Sequence, residues 1–165
     1  MHMLPLRFAK YGLEINTEKT KLVRFVRPRW NSPVDGSGQK PGTFSFLGFV
    51  IYWGKTWKGG HTVKLKTAGK RLSRTLSSLW QWCRDNRHRP LPEQYQTLCA
   101  KLRGHYQYYG VRCNSRCLEL VHYVATRAWR YWLNGRGDRK LTWQKFGRLL
   151  AQFPLLKPKI VQAWV

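Results

Sequence analysis

Near residue 67 of this 165-residue chain the spacing of apolar positions changes from a period of two to a helical one. Ahead of that point, Phe44 to Trp53 (FSFLGFVIYW) is aromatic and β-branched and stops at Gly54, which predicts a strand. Gly59-Gly60 is the next turn signal, and His61 to Leu65 returns as its hairpin partner. Gly12 to Asn16 and Thr20 to Arg27 are further candidate strands, the second with Leu22 and Phe25 as core contacts. Between them and Phe44, the stretch Pro28 to Thr43 is rich in Pro, Gly and Ser and predicts a loop.

Beyond Thr67, Leu72, Leu76, Leu79, Trp80 and Cys83 lie on one helical stripe, and Pro90 and Pro92 close that helix and open the next. Tyr95, Leu98, Cys99, Leu102, Tyr106 and Tyr109 form the second stripe, stopped by Gly110. Ser115 is a cap for a third helix in which Cys117, Leu118, Val121, Val124, Ala125, Ala128, Trp129 and Trp132 are apolar; Gly135 and Gly137 end it. Thr142 caps a short fourth helix with Trp143, Phe146, Leu149 and Leu150, and Pro154 and Pro158 keep the tail extended. The pattern predicts an α+β, mainly α fold. A small antiparallel β-hairpin element spans 1–66, a three-helix antiparallel bundle spans 67–134, and a short basic region with one more helix spans 135–165.

An apolar fraction of 42% fills a core for one domain, or for one small domain with an appendage. No apolar run approaches the ~20 residues that cross a bilayer. Met1 to Lys10 does not read as a signal peptide, so a cytoplasmic location with reduced cysteines is expected. Cys113 and Cys117, with His105 and His122 nearby, resemble half a zinc site without a second ligand pair, so no metal is expected. Arg136-Gly137-Asp138 reads as a turn.

Charge changes the picture most. Thirty-one Lys and Arg face seven Asp and Glu, a formal net charge of +24, and 15% of the residues are Phe, Tyr or Trp. Such a surface repels itself, and a polyanion relieves it. Aromatic faces beside cations suit unpaired bases, which points to RNA. Lys64, Lys66, Lys70, Arg71 and Arg74 crowd the end of the hairpin and the start of the first helix, where cations oppose the helix macrodipole, so they are candidate phosphate contacts. Arg84, Arg87, His88 and Arg89 cluster at the other end of that helix, where they favour the dipole and read equally well as structural. On the third helix Tyr123, Arg127 and Arg130 share one stripe outside the apolar face. Tyr106 and Tyr109 fit the core of the second helix, which leaves Arg103 and Tyr108 as its contact residues. Trp80, Trp129, Trp132 and Trp143 follow the core spacing and are assigned to the core.

Several blocks resemble the C-terminal part of a bacterial group II intron reverse transcriptase/maturase. Tyr11-Gly12-Leu13-Glu14-Ile15-Asn16 with Glu18-Lys19-Thr20-Lys21-Leu22 is similar to the segment near the end of that family's palm. Phe44-Ser45-Phe46-Leu47-Gly48-Phe49 is similar to the hairpin that supports the primer end, which implies a primer-supporting turn at Phe46, Leu47 and Gly48. Leu102-Arg103-Gly104-His105-Tyr106 with Tyr108-Tyr109-Gly110 and Asn114 resembles the signature of the maturase-specific thumb. Leu141-Thr142-Trp143 with Phe146, then Pro158-Lys159-Ile160, resembles the small region associated with DNA contact. The resemblance implies a palm-end element, a thumb bundle and a short DNA-binding tail. It also implies a role in binding intron RNA or template-primer and in assisting splicing and retrohoming.

The family polymerises DNA with clustered carboxylates that hold two divalent ions. No adjacent aspartates occur here; Asp35, Asp85 and Asp138 are isolated. The chain alone is therefore not expected to polymerise DNA, and it needs no cofactor of its own, Mg²⁺ being expected only for a complete polymerase. Partners implied are intron RNA or an RNA/DNA template-primer, a separately encoded fingers-palm chain, or a second copy of the chain; no membrane is implied. Half of a split enzyme, an inactive fragment and a generic basic structural RNA-binding protein remain open.

Overall fold

In the computed structural model of the protein the described residues are 3–16, 18, 20, 22–28, 42–136 and 140–162. The aromatic segment expected as one strand is two. β1 (Phe44–Phe46) and β2 (Phe49–Lys55) pair antiparallel across a two-residue turn, Leu47-Gly48, with Phe46 opposite Phe49. Both turn residues have positive φ, 47° and 80°, as in the primed turns whose twist matches that of their strands. Periodicity gives no warning of this break, because leucine seldom enters the left-handed region. Contacts from outside the hairpin hold it there: the Tyr108 hydroxyl donates to the Leu47 carbonyl at 2.8 Å, and the Ala68 N–H to the Gly48 carbonyl at 2.8 Å. A Cβ on Gly48 would lie 2.8 Å from the Tyr109 hydroxyl, so the turn needs glycine on two counts.

β3 (His61–Thr67) continues two residues past the expected Leu65 and pairs antiparallel with β2 from Lys55↔His61 to Phe49↔Thr67, giving the sheet order β1-β2-β3. The other two expected strands are absent among the described residues. Gly12 to Asn16 follows an unexpected short helix, α1 (Met3–Ala9), and the described residues between Thr20 and Arg27 join no ladder. One aromatic anchors that segment instead. Phe25 meets Phe44 edge-on at 5.2 Å and stacks on Trp53 at 5.0 Å, while Leu22 is exposed rather than in the core. Lys19, Lys21 and most of the 28–43 loop lie outside the described residues.

The helical period is obeyed throughout the remainder, giving α2 (Gly69–Asp85), α3 (Leu91–Tyr109), α4 (Ser115–Asn134) and α5 (Trp143–Gln152). The fold is thus mixed α+β and mainly α, a three-stranded antiparallel sheet followed by helices. Leu79 and Cys83 of α2, Leu98, Leu102 and Tyr106 of α3, and Leu118, Val121, Ala125, Ala128 and Trp129 of α4 form one buried cluster. Phe146 of α5 and Leu155 of the tail close it. Thr142 caps α5 as expected, its hydroxyl accepting from the Lys145 N–H at 3.3 Å. Gly110 stops α3 and accepts from the Val161 and Gln162 N–H groups at 2.7 and 3.0 Å, docking the extended tail.

Two neutral amides sit buried at opposite ends of the helices. At one end Gln94 donates to the Arg87 and Arg89 carbonyls at 3.2 and 2.7 Å and accepts from the Trp129 indole at 2.9 Å. At the sheet end Asn114 accepts from the Thr67 N–H at 2.9 Å and donates to the Thr67 hydroxyl and the Tyr109 carbonyl, each at 2.8 Å. Asn114, not Ser115, occupies the cap position of α4, yet its side chain bonds the sheet rather than the helix; Ser115 is the first helical residue.

Replacing Asn114 by Ala strands the buried Thr67 N–H and hydroxyl at once, while the Tyr109 carbonyl keeps the Val111 N–H at 2.8 Å. Leaving such groups unpaired costs about 1–3 kcal/mol each, softened where water enters. The expected loss for Asn114→Ala is at least about 2 kcal/mol, read as a lower urea midpoint at unchanged slope; an unchanged midpoint would refute the role given to this residue.

Candidate nucleic-acid interface

Strand pairing sorts the sheet into two chemically different faces. Phe44, Phe46, Phe49, Ile51 and Trp53 share one face with Val63 and Leu65, and Val50, Tyr52 and Gly54 share the other with Thr62, Lys64 and Lys66. Phe25 covers part of the apolar face, and the rings of Tyr108 and Tyr109 meet Phe49 at 5.8 and 5.2 Å. On the opposite face Lys66 Nζ stands 5.1 Å from the centre of the Tyr52 ring. The Lys64 stem crosses Gly54, where any Cβ would overlap it, and its Nζ donates to the Lys55 carbonyl at 2.7 Å.

Through Thr67 and Ala68 the strand bearing Lys64 and Lys66 leads directly into α2. The helix has no acid in its first turn and no side-chain cap, and Lys70, Arg71 and Arg74 are all exposed there. Arg71 passes beside Gly48, across the hairpin turn that Tyr108 holds. Arg74 reaches a cleft of about 350 Å³ between helices, lined also by Thr75 and Ser78 of α2, Lys101 and His105 of α3 and Val121 of α4. His105 Nε2 is buried without a hydrogen-bond partner. Burial holds the His105 pKa below the ordinary histidine value, and burial does the same for His122, opposed by a hydrogen bond with the Leu155 backbone. Both rings are thereby biased towards the neutral form.

The remaining candidates are not brought into this band. Arg103 is exposed on α3 two residues from Lys101, a spacing that turns it to another side of the helix. Tyr108 is half exposed, but its hydroxyl is committed to Leu47. Arg127 donates to the Tyr123 hydroxyl at 2.6 Å and lies 5.4 Å above the Tyr123 ring, an exposed pair on α4. Arg130 is half-buried: it donates to the Leu141 carbonyl at 3.1 Å and stacks 4.0 Å from the centre of the Trp143 ring. That pair fastens the start of α5. Against the core assignment, Trp143 is 54% exposed and Trp80 37% exposed, whereas Trp129 is buried as expected. Phe46 and Leu47 of the primer-supporting turn are exposed, and Gly48 is half-buried.

In the Arg84 to Arg89 cluster, Arg84 pairs with Asp85 at 3.3 Å, and Arg87 donates to the Arg84 carbonyl at 3.1 Å beside Trp132. Among the described residues that Arg84–Asp85 contact is the one ion pair, and no three His, Cys, Asp or Glu side chains converge on a point. No helix among them is long and apolar enough to cross a membrane. Sequence reasoning left out Lys101 and Tyr52. Strand parity opposite Lys64 signals Tyr52, whereas Lys101 joins Arg74 only through helix packing. Comparison of the chain with protein-family models, with curated proteins and with solved structures finds no match.

His105 and His122 bind protons less readily folded than unfolded, so the unfolded state holds more protons just below the ordinary value of about 6.5. Their contribution to stability is complete above that value and is lost as pH falls through it. The melting temperature is expected to drop on acidification from neutral pH, and the double variant His105→Gln/His122→Gln to flatten that drop. Equal slopes in both proteins would refute the assignment.

Proposed function

We propose that the chain is an RNA-binding module of the group II intron maturase kind, one that grips structured intron RNA, or an RNA–template duplex, through phosphates and shape and so assists splicing and retrohoming. The observation that carries this reading is the run of cations from Lys64 and Lys66 through Lys70, Arg71 and Arg74 to Lys101, along which no described carboxylate is paired. Lys64, Lys66 and Lys101 touch a carbonyl, the Tyr52 ring and the Trp82 ring, but none of these cancels charge. Cations without a carboxylate partner attract ribose-phosphate, and each phosphate neutralised releases counterions. Further support comes from the family-like blocks. Arg103 to Asn114 includes the residues that dock the sheet on the helices, and Phe46-Leu47-Gly48 is the turn that they hold. Arg103 and Arg127 are secondary contacts in this reading, with Tyr108 and Arg130 supporting the surface. The reading assigns no polymerase chemistry, since paired aspartates do not occur in the sequence.

A second reading, half of a split enzyme completed by a fingers-palm chain or by a second copy, is favoured by the sheet itself. Among the described residues β1 and β3 each pair on one side only, and β3 offers a seven-residue edge. Sedimentation at high micromolar concentration is expected to show association; a strictly monomeric profile would count against the second-copy form.

Filter binding to intron RNA is expected to weaken by about a thousandfold or more between about 50 and about 200 mM salt, as six or more phosphate contacts require. In Lys70→Ala/Arg71→Ala/Arg74→Ala the log–log slope falls by about two to three. Binding without a salt slope overturns the proposal, and equal affinity for an unrelated structured RNA reduces it to generic RNA binding.

A further inference from the structure

The end of the sheet remote from α2 carries a side chain that the fold does not use. Residues 56–60 join β2 to β3 in a loop closed by its own backbone. The Thr56 N–H donates to the Gly60 carbonyl at 2.7 Å and the Gly59 N–H to the Thr56 carbonyl at 3.1 Å. The Thr56 hydroxyl adds a bond to the Gly60 carbonyl at 3.2 Å, and Gly59 takes φ 82°. In that loop Trp57 is fully exposed, at 103% of its reference surface. No other described tryptophan exceeds the 54% of Trp143. An indole wholly in water adds nothing to the core and forfeits the burial that aromatic residues ordinarily contribute.

Its surroundings are cationic and directional. Lys55 and Lys58 flank it, both exposed. The seven residues of β2 set the loop about 20 Å from the Leu47-Gly48 turn that is tied to the helices. The sheet face bearing Lys64, Tyr52 and Lys66 leads from this loop back to the cations of α2.

We propose that the 56–60 hairpin tip is a stacking wedge, with Trp57 placed against an unpaired base of a bound RNA while Lys55 and Lys58 meet the phosphates beside it. The inference deepens the RNA-binding reading and rests on it. An unpaired base offers a π-face that a base stacked within a duplex does not, and any of the four bases serves. A bilayer is the poorer fit, because Thr56, Lys58, Gly59 and Gly60 supply no apolar rim around the indole. Charge complementarity chooses the polyanion: the loop and the sheet face behind it hold lysines and no acid.

The test uses the whole chain and two labelled RNAs of equal length and charge, one fully paired and one with an unpaired bulge. By fluorescence anisotropy, Trp57→Ala is expected to weaken binding of the bulged RNA by about tenfold or more, as loss of one stacked base does, and to leave the paired RNA unchanged. Trp57→Phe retains most of the preference, and Lys55→Ala/Lys58→Ala weakens both RNAs with a shallower salt slope. If Trp57→Ala affects both RNAs equally or neither, while the wild type still binds with a salt slope, the wedge alone is overturned. If the wild type binds neither RNA, the RNA-binding reading falls with it. Loss of binding to phosphatidylcholine–phosphatidylserine vesicles in Trp57→Ala, with RNA binding intact, would make the tip an interfacial anchor and also overturn the proposal.

Discussion

Three short strands bury too little surface to stand alone, so the direction in which this sheet points must be imposed by the helices. That demand falls on the place where β3 becomes α2 and α3 becomes α4. There the Asn114 amide uses its oxygen for the Thr67 N–H and its nitrogen for the Thr67 hydroxyl and the Tyr109 carbonyl. An apolar residue of similar size could fill the volume but would leave the buried Thr67 N–H and hydroxyl unpaired. Nearby, Tyr108 and Ala68 hold the Leu47-Gly48 turn through its two carbonyls. One end of β2 is thereby fixed to the helices and the other projects, so the tip carrying Trp57 inherits its direction from an interaction at the far end of the strand.

The choice of neutral amides follows from the charge balance. With seven acids against thirty-one Lys and Arg, ion pairs are too scarce to specify how the elements meet. Gln94 and Asn114 specify both ends of the helices without a charge, and the interior between them is apolar. Stability is thus largely separated from surface charge, and the surface can carry an excess that self-repulsion would otherwise make costly. Some cations are drawn into the fold through aromatic faces and backbone carbonyls: Arg130 on Trp143, Arg87 on Trp132, Lys64 on the Lys55 carbonyl. Those at the start of α2 are exposed, and Lys64, although tied to a carbonyl, stays on the cationic face of the sheet with Lys66.

The three long helices and the short α5, the Gly110 stop, the Thr142 cap and the return of β3 after Gly59-Gly60 were legible along the chain because each depends on neighbours within a turn or two. So was the run Lys64 to Arg74, whose density and lack of acids are properties of composition. The role of Lys101 was not, since its place beside Arg74 exists only once α3 lies along α2. The core assignment of Trp143 failed, and its pairing with Arg130 went unseen, for the same reason: helical spacing assigns a residue to a face but does not name what covers that face.

What the sequence by itself determined is therefore the existence of α2 to α5, most of the core stripe of each, and a cationic excess that the chain cannot neutralise internally. Tertiary structure alone decided that Leu47 adopts a left-handed turn, that Phe25 anchors a segment without joining the sheet, and that Asn114 serves β3 instead of its own helix. The physical reason is range. Propensity and periodicity act over a few residues, whereas the Tyr108–Leu47 and Asn114–Thr67 bonds join positions 61 and 47 apart, which come together only when sheet and helices dock.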